Sequence, residues 1–307
     1  MNTDIQRAQS ALQYLDAHDR QEWYQAAMML KSEFGDAVFD IWNEWSQQAD
    51  SYNATDARHV WKSCKPTGGL SIGSLFYRAK QAGWQDSTEY TRPSPAELAQ
   101  RALKRQLERQ QAEAEQQQRH AAIAVKAARI WSTAAPANPE HPYLIAKQIE
   151  RLHLRQMNDV LVVPMASPTG LVNLQFIQPD GGKRFLTGGQ VAGACAVIGQ
   201  PGDTLRICEG YATGATIHQL TGDAVLCALS ASNLMAIARS ARAQLPGSHI
   251  VICADNDRQA PGNPGVTAAR NAAAAIGAEL MIPEFPDGHH GSDWNDYYLM
   301  EQAEGAI

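Results

Sequence analysis

The sequence predicts an α/β protein in two folded parts: an all-α N-terminal domain and, beyond a long helix, a small β-rich lobe leading into a parallel sheet with flanking helices. Three observations carry this. Five of the seven tryptophans, Trp23, Trp42, Trp45, Trp61 and Trp84, fall in the first 84 residues, enough for an aromatic core of their own. Charge divides the chain as well. Residues 1–90 hold 8 basic and 12 acidic side chains, 91–155 hold 11 and 6, and 156–307 hold 7 and 14. Finally, beyond Asp203 four short apolar runs alternate with helical stretches, the pattern of parallel strands joined by crossovers. A chain of 307 residues with 44% hydrophobic content can fill two modest cores.

In the first part, residues 20–34 place Trp23, Ala27 and Leu30 on one helical stripe, and Gly35 supplies a left-handed stop. Residues 36–45 repeat the pattern. Thr55 is the expected cap of a helix over 56–64, Pro66 to Gly69 reads as a turn, and a last helix over 72–82 ends at Gly83. The helical domain is set at 1–90.

Ser94, Pro95 and Glu97 have the order of a capping box with proline at the first helical position. From there to about Ile130 no glycine or proline interrupts a run of Ala, Gln, Arg, Glu and Leu, so one long helix is expected, forming a basic linker over 91–135. Few of its residues are apolar. Arg101, Lys104, Arg105 and Arg109 form either a solvated face or a stripe for phosphates, and composition leaves both open.

After Pro136 the pattern turns extended, with strands over 160–164 and 171–177 and turns at Gly170 and Asp180-Gly181-Gly182, giving a β-rich lobe over 136–202. The last part, 203–307, has strands over 205–208, 224–229, 250–254 and 280–282, separated by helices over 211–220, 231–245 and 264–276. Cys208, Cys227 and Cys253 fall inside these strands and read as small core residues.

Composition excludes several classes. A net charge of -6 is not that of a cationic nucleic-acid coat. The five cysteines never reach C-x-x-C spacing, so neither a disulfide framework nor a zinc ribbon is expected. His289-His290 reads as an exposed loop rather than a zinc site. Met1 to Asp4 lack the basic-then-apolar order of a signal peptide, and a cytoplasmic setting is expected. Neither a Walker loop nor a Gly-x-Gly-x-x-Gly fingerprint is present.

Ligands of open parallel sheets gather beyond the carboxyl ends of the strands, and acids follow three of them. Glu209-Gly210 follows the first strand, Asp255-Asn256-Asp257 the third, and Ser292 to Asp296 comes after the fourth. Two or three carboxylates at one edge suit Mg2+, which takes oxygen ligands and leaves positions for substrate phosphates. Singly, each acid could be a helix cap or a solvated charge; as a set they read as a site.

Residues 205–214, 250–257 and 293–296 resemble the Toprim domain of topoisomerases and bacterial-type primases. His141 to Leu144, Val160 to Pro164, Leu171 to Ile177 and Gly182 to Leu186 resemble, in order, the stretch leading into Toprim in phage and plasmid primases. In the N-terminal part, Trp23, Phe39, Trp42, Trp45, Trp61-Lys62-Ser63, Gly68-Gly69, Leu75-Phe76 and Trp84 resemble the primase C-terminal type 2 domain of mobile-element replication proteins. Together the resemblances cover about 80% of the chain. Three features depart from cellular primases: no Cys/His zinc-binding set precedes Toprim, no Walker motif marks a fused helicase, and Thr213 stands four positions after Glu209, where they carry an acid.

The resemblance implies a DNA primase that makes short RNA primers on single-stranded DNA from ribonucleoside triphosphates in mobile-element replication, with Mg2+ or Mn2+ and without zinc. Glu209, Asp255 and Asp257 are implied as catalytic. Those three with Asp293 are the implied metal ligands, with Asp296 left open. Lys183, Arg184 and Arg258 would contact nucleic acid or nucleotide; as bare residues, Lys183 and Arg184 could equally be exposed hairpin charges. A replicative helicase or other replication protein would be supplied separately. The alternatives are a Toprim nuclease acting on DNA, whose acids would activate water, and a non-catalytic nucleic-acid-binding adaptor. A topoisomerase-like strand passer would need a tyrosine nucleophile in a separate large domain.

Overall fold

A computed structural model describes residues 3–64, 69–86 and 95–305. The chain divides into two compact units, Met1–Arg101 and Ala102–Ile307.

The first unit is helical: α1 (Thr3–Leu12), α2 (Arg20–Phe34), α3 (Phe39–Ser46), α4 (Ala54–Ser63) and α5 (Ile72–Gln81), with a 3-10 turn at Gly35–Val38 leading into α3. All five tryptophans are buried together. The rings of Trp23 and Trp42 lie 4.8 Å apart and those of Trp42 and Trp61 5.3 Å apart. Burying an indole N–H is costly unless it finds an acceptor. Trp23 donates to Ser46 Oγ at 2.7 Å, Trp61 to Asp36 Oδ1 at 2.8 Å and Trp84 to Ser10 Oγ at 3.1 Å.

Gly35 ends α2 where expected, at positive φ (63°) but with ψ -145° rather than in the left-handed helical well. The start of α4 differs from the sequence reading. Asn53, not Thr55, is the cap, because its side chain accepts from the backbone N–H of both Thr55 and Asp56. The expected turn over 66–68, the Ser94 cap and the Arg101 side chain lie outside the described residues.

Helix α6 (Pro95–Thr133) runs without a break. Lys104, Arg105 and Arg109 are exposed, and Arg109 pairs with Glu113 at 2.8 Å within the helix. Near its C-terminal end Ala127, Ile130 and Trp131 pack on the first sheet.

That sheet contains β1 (Ala135–Pro136), β2 (Arg155–Met157), β3 (Val160–Ser167), β4 (Gly170–Ile177) and β5 (Lys183–Phe185) in sequential antiparallel order. Helix α7 (Pro142–Lys147) lies between β1 and β2 in sequence. The sheet is covered on both faces, which is why β3 reads as a continuous apolar run rather than an alternation. Leu161, Val163 and Met165 join the core of the following domain, whereas Val162 packs with Ala127 of α6.

The second sheet has the order β10-β9-β7-β8-β6, from β6 (Ala196–Ile198), β7 (Thr204–Cys208), β8 (Ala224–Cys227), β9 (His249–Cys253) and β10 (Glu279–Met281). Neighbours among β7 to β10 are parallel, and β6 is an antiparallel edge. The intervening helices are α8 (Tyr211–Thr221), α9 (Ala231–Gln244), α10 (Pro264–Ile276) and, after β10, α11 (Trp294–Glu304). From β7 the chain goes to β8 on one side and returns to β9 on the other, so the strand order reverses between β7 and β9. Cys208 is in register with both Cys227 and Cys253, and all three are buried. Helix α8 packs close above them: a methyl group on Gly214 would sit 2.2 Å from Cys227 Sγ.

Candidate active site

Cys208 and Cys253 are paired across β7 and β9, so the residues just beyond them, Glu209 and Asp255, leave adjacent strands at the point where the order reverses. That crevice is where open α/β sheets take their ligands. A cavity of about 170 Å3 lies there, lined by Glu209, Gly210, Thr213, Asp255 and Asp293 from the second sheet and its helices, and by Tyr143, Lys147, Gln175 and Lys183 from the β-rich lobe.

The structure brings the sequence-derived acids together, each of them partly buried. Asp255 is partly buried, and its Oδ1 is buried without a hydrogen-bond partner. Burial, with Asp293, Glu209 and Asp257 adding their charges, pushes the Asp255 carboxyl up to about 8, against a smaller opposing pull from Lys183. Glu209 is shifted the same way by burial and by Asp257, and the Ala231 backbone N–H and Lys183 partly offset this. The strands before Glu209 and Asp255 end in a crevice that residues of the lobe also line.

Asp293 caps α11, its Oδ1 accepting from Asn295 N at 2.8 Å and Asp296 N at 2.9 Å, and its other oxygen has no such duty. Asp296 is otherwise engaged: Oδ1 pairs with Lys147 Nζ at 3.2 Å and Oδ2 accepts from Ser292 N at 3.1 Å. Asp257 lines a neighbouring cavity of about 240 Å3 with Asn256, Arg258, His289 and His290, and its Oδ2 accepts from Gly265 N at 3.0 Å. Asn256, between the two aspartates, ties three segments together through Ser292 O, Pro283 O and the Asn263 side chain.

The three basic residues separate. In the β4–β5 ladder Lys183 is opposite Ile177 and Arg184 is opposite Phe176. Alternation therefore sends Lys183 to the cavity face and Arg184 to the other, where its guanidinium lies 5.3 Å from the Phe176 ring. Arg258 also falls outside the cavity. Its guanidinium donates to Phe285 O at 3.1 Å and His289 O at 3.0 Å and stacks on Phe285, so it braces the 283–291 loop. His289 stacks on Phe285 at 5.2 Å and His290 meets Gln259 at 2.6 Å, which accounts for both loop histidines.

Sequence reasoning missed Tyr143, Lys147 and Gln175. They lie on segments read as part of the lobe, and only the packing of that lobe brings them to the acids. Tyr143 sits in the His141 to Leu144 stretch, where a proline at the first helical position marks a helix start. Burial and the nearby Asp293 charge raise its phenol and keep it protonated.

Among the described residues no three His, Cys, Asp or Glu side chains converge as a closed metal-ligand group. The donor set instead suits a divalent cation of the Mg2+ kind, which is held by one or two carboxylates and completes its octahedron with water and phosphate oxygens. The buried, unpartnered Asp255 Oδ1 and the mutual repulsion of the acids are what such a cation would relieve.

Known families match in both units. Residues 8–79 match the Primase C terminal 2 (PriCT-2) family and residues 204–304 match the Toprim domain. The chain is 33% identical over 190 residues to DNA primase TraC of Escherichia coli, covering 57% of this chain and 18% of that protein. It is 28% identical over 219 residues to a second E. coli TraC primase, covering 67% and 15%. The chain thus spans less than a fifth of the length of these curated relatives. Among solved structures, the primase fragment of the bacteriophage T7 primase-helicase overlaps 56% of this chain and 76% of its own, with TM-score 0.41 and 14% identity. The DnaG primase catalytic domain bound to ssDNA overlaps 63% and 77%, with TM-score 0.41 and 13% identity. Glu209, Asp255, Asp257 and Asp293 all fall within the matched Toprim segment, and the chain carries a segment that matches PriCT-2 followed by one that matches the Toprim domain.

Proposed function

We propose that the chain is a DNA primase, a nucleotidyltransferase that joins ribonucleotides on a single-stranded DNA template during mobile-element replication. The observation that carries this reading is the cavity at the β7/β9 switch point. There Asp255, buried and with an unpartnered oxygen, meets Glu209 and Asp293 from one side and Lys183 from the other.

Asp255, Asp257 and Asp293 are the residues to hold Mg2+ or Mn2+. When bound, the ion supplies charge neutralisation for the triphosphate and its pyrophosphate leaving group. In the reaction the 3'-hydroxyl of one nucleotide attacks the α-phosphorus of the next. A P–O bond forms, the bond to the β-phosphate oxygen breaks, and pyrophosphate leaves. Glu209, with its raised pKa, is suited to take the hydroxyl proton or to steady the cation. Lys183 places a positive charge at the cavity wall for a phosphate. Template and partner binding would draw on the basic residues outside the cavity, because the catalytic segment itself is strongly acidic. A separately supplied replicative helicase or other replication protein completes the proposed setting, in the cytoplasm and without zinc. No described helix is long and apolar enough to cross a membrane.

Incubating the full chain with single-stranded DNA, labelled ribonucleotides and Mg2+ or Mn2+ tests the reading. Short RNA products support it. Cleaved DNA would replace it with a nuclease, and neither product would leave a nucleic-acid-binding adaptor.

A further inference from the structure

Six buried side-chain polar atoms lack a hydrogen-bond partner among the described residues, and three of them belong to residues lining the one cavity at the sheet's switch point: Asp255 Oδ1, Tyr143 Oη and Gln175 Oε1. The bound cation argued above accounts for Asp255. It does not account for the other two, which are neutral. Tyr143 and Gln175 are each 4% exposed, and folded proteins rarely bury a polar group without satisfying it.

Their placement is built rather than accidental. Gln175 lies opposite Phe185 in the β4–β5 ladder, on the same face as Lys183. The backbone around it is held by ordinary sheet pairing with β3, where it is opposite Val163. Tyr143 sits in the first turn of α7, whose cap His141 is buried and bonded to Tyr143 N and Asp159 O. Both side chains are therefore fixed in position with their polar ends left over.

The chemistry of the leftover pair narrows what it can take. A phosphate would favour Lys183, and a cation the carboxylates. A phenol hydroxyl that donates and an amide oxygen that accepts suit an uncharged group able to do both, which is a hydroxyl. In a nucleoside triphosphate whose phosphates lie at the acids and Lys183, the hydroxyls closest to the reacting phosphorus are those of the sugar. We propose that Tyr143 and Gln175 bind the ribose hydroxyls of the nucleotide and set a preference for ribo- over deoxyribonucleoside triphosphates. This rests on the nucleotide-joining reading of the site. The physical basis is that a deoxy analogue would leave buried polar groups unpaired, the kind of site that discriminates most strongly.

The test measures affinity of the full chain for ATP, 2'-deoxy-ATP and 3'-deoxy-ATP with Mn2+, by titration calorimetry, for the wild type, Tyr143→Phe and Gln175→Met. Template-dependent product formation and thermal melts are followed on the same preparations. The expected result is a wild-type preference for ATP over at least one deoxy analogue of about tenfold or more. Each variant should weaken ATP to the level of that analogue and leave the analogue's own affinity unchanged. Equal weakening of all three nucleotides would make the pair structural and overturn the proposal, as would a preference that survives both substitutions. A wild type that makes product without any sugar preference overturns this inference alone. A wild type that neither binds nucleotide nor makes product overturns the site reading with it.

Discussion

The backbone N–H of Gly265 donates to Asp257 Oδ2 at 3.0 Å, and a methyl group on Gly265 would lie 2.4 Å from Asp255 O and 2.8 Å from that same Asp257 oxygen. The first turn of α10 is thus seated directly on the Asp-x-Asp segment. Gly265→Ala should destabilise the chain by about 2 kcal/mol through this overlap and also displace Asp257. Chemical denaturation and primer synthesis should fall together. A variant with unchanged midpoint and activity would show that the turn can move away without cost.

Asp255 makes stability depend on pH in a defined direction. Its carboxyl stays protonated in the folded chain up to about pH 8, whereas in the unfolded chain it ionises at its ordinary value of 3.8. Between those values the unfolded state binds fewer protons than the folded one, so this group's contribution is full below pH 3.8 and is lost as pH rises to about 8. Asp255→Asn cannot ionise. In EDTA it should melt above the wild type at pH 8.5, by about 3 °C or more, with the gap closing toward pH 4.5. Adding Mg2+ should narrow the gap at pH 8.5 by binding the ionised wild type.

Glu209→Gln and Asp255→Asn should each lower primer synthesis about 100-fold or more without loss of fold, since each removes a cation-binding or proton-accepting group. Quantifying labelled product against Mn2+ concentration checks this. Near-wild-type synthesis by either variant would remove the acid cluster from the chemistry.

Lys183 and Arg184 provide a contrast set by strand alternation alone. Lys183→Met should raise the KM for nucleotide by about tenfold, because among the described residues lining the cavity the other positive charge, Lys147, is paired with Asp296. Arg184→Met, on the opposite face against Phe176, should leave that KM unchanged. Steady-state kinetics on both variants distinguishes the two faces.

The four parallel strands of the second sheet and the three helices between them were legible because each is short and most are separated by glycine-bearing turns, whereas the edge strand β6 and helix α11 were not read. The acids were legible because they follow those strands in the sequence itself. What could not be read was the lobe's share of the site: Tyr143, Lys147 and Gln175 line the same cavity as Asp255, and nothing in the sequence marks the Asp255 Oδ1 as buried without a partner. Nor could sequence assign Arg258 to bracing, since its acceptors are the carbonyls of Phe285 and His289, 27 and 31 residues away. Gln175 and Tyr143 carry no motif marking them as site residues. Their relevance comes from a sheet covered on both faces, which a single apolar run such as Val160 to Pro164 does not reveal. The Asn53 cap was missed for a smaller reason, as Asn and Thr two positions apart offer the same capping chemistry.

Asn295 is fully buried next to the Asp293 cap, and its Nδ2 donates to Lys147 O at 2.6 Å and Thr216 Oγ1 at 2.8 Å, partners 148 and 79 residues earlier in the chain. Those separations distinguish how the acids are held. Glu209 and Asp255 are placed by neighbouring strands, whereas Asp293 sits at the cap of α11, the helix that these bonds dock onto α7 and α8. The third carboxylate therefore depends on contacts between segments far apart in the sequence. Loosening those two hydrogen bonds would therefore unseat the third carboxylate while leaving intact the strands that place the other two.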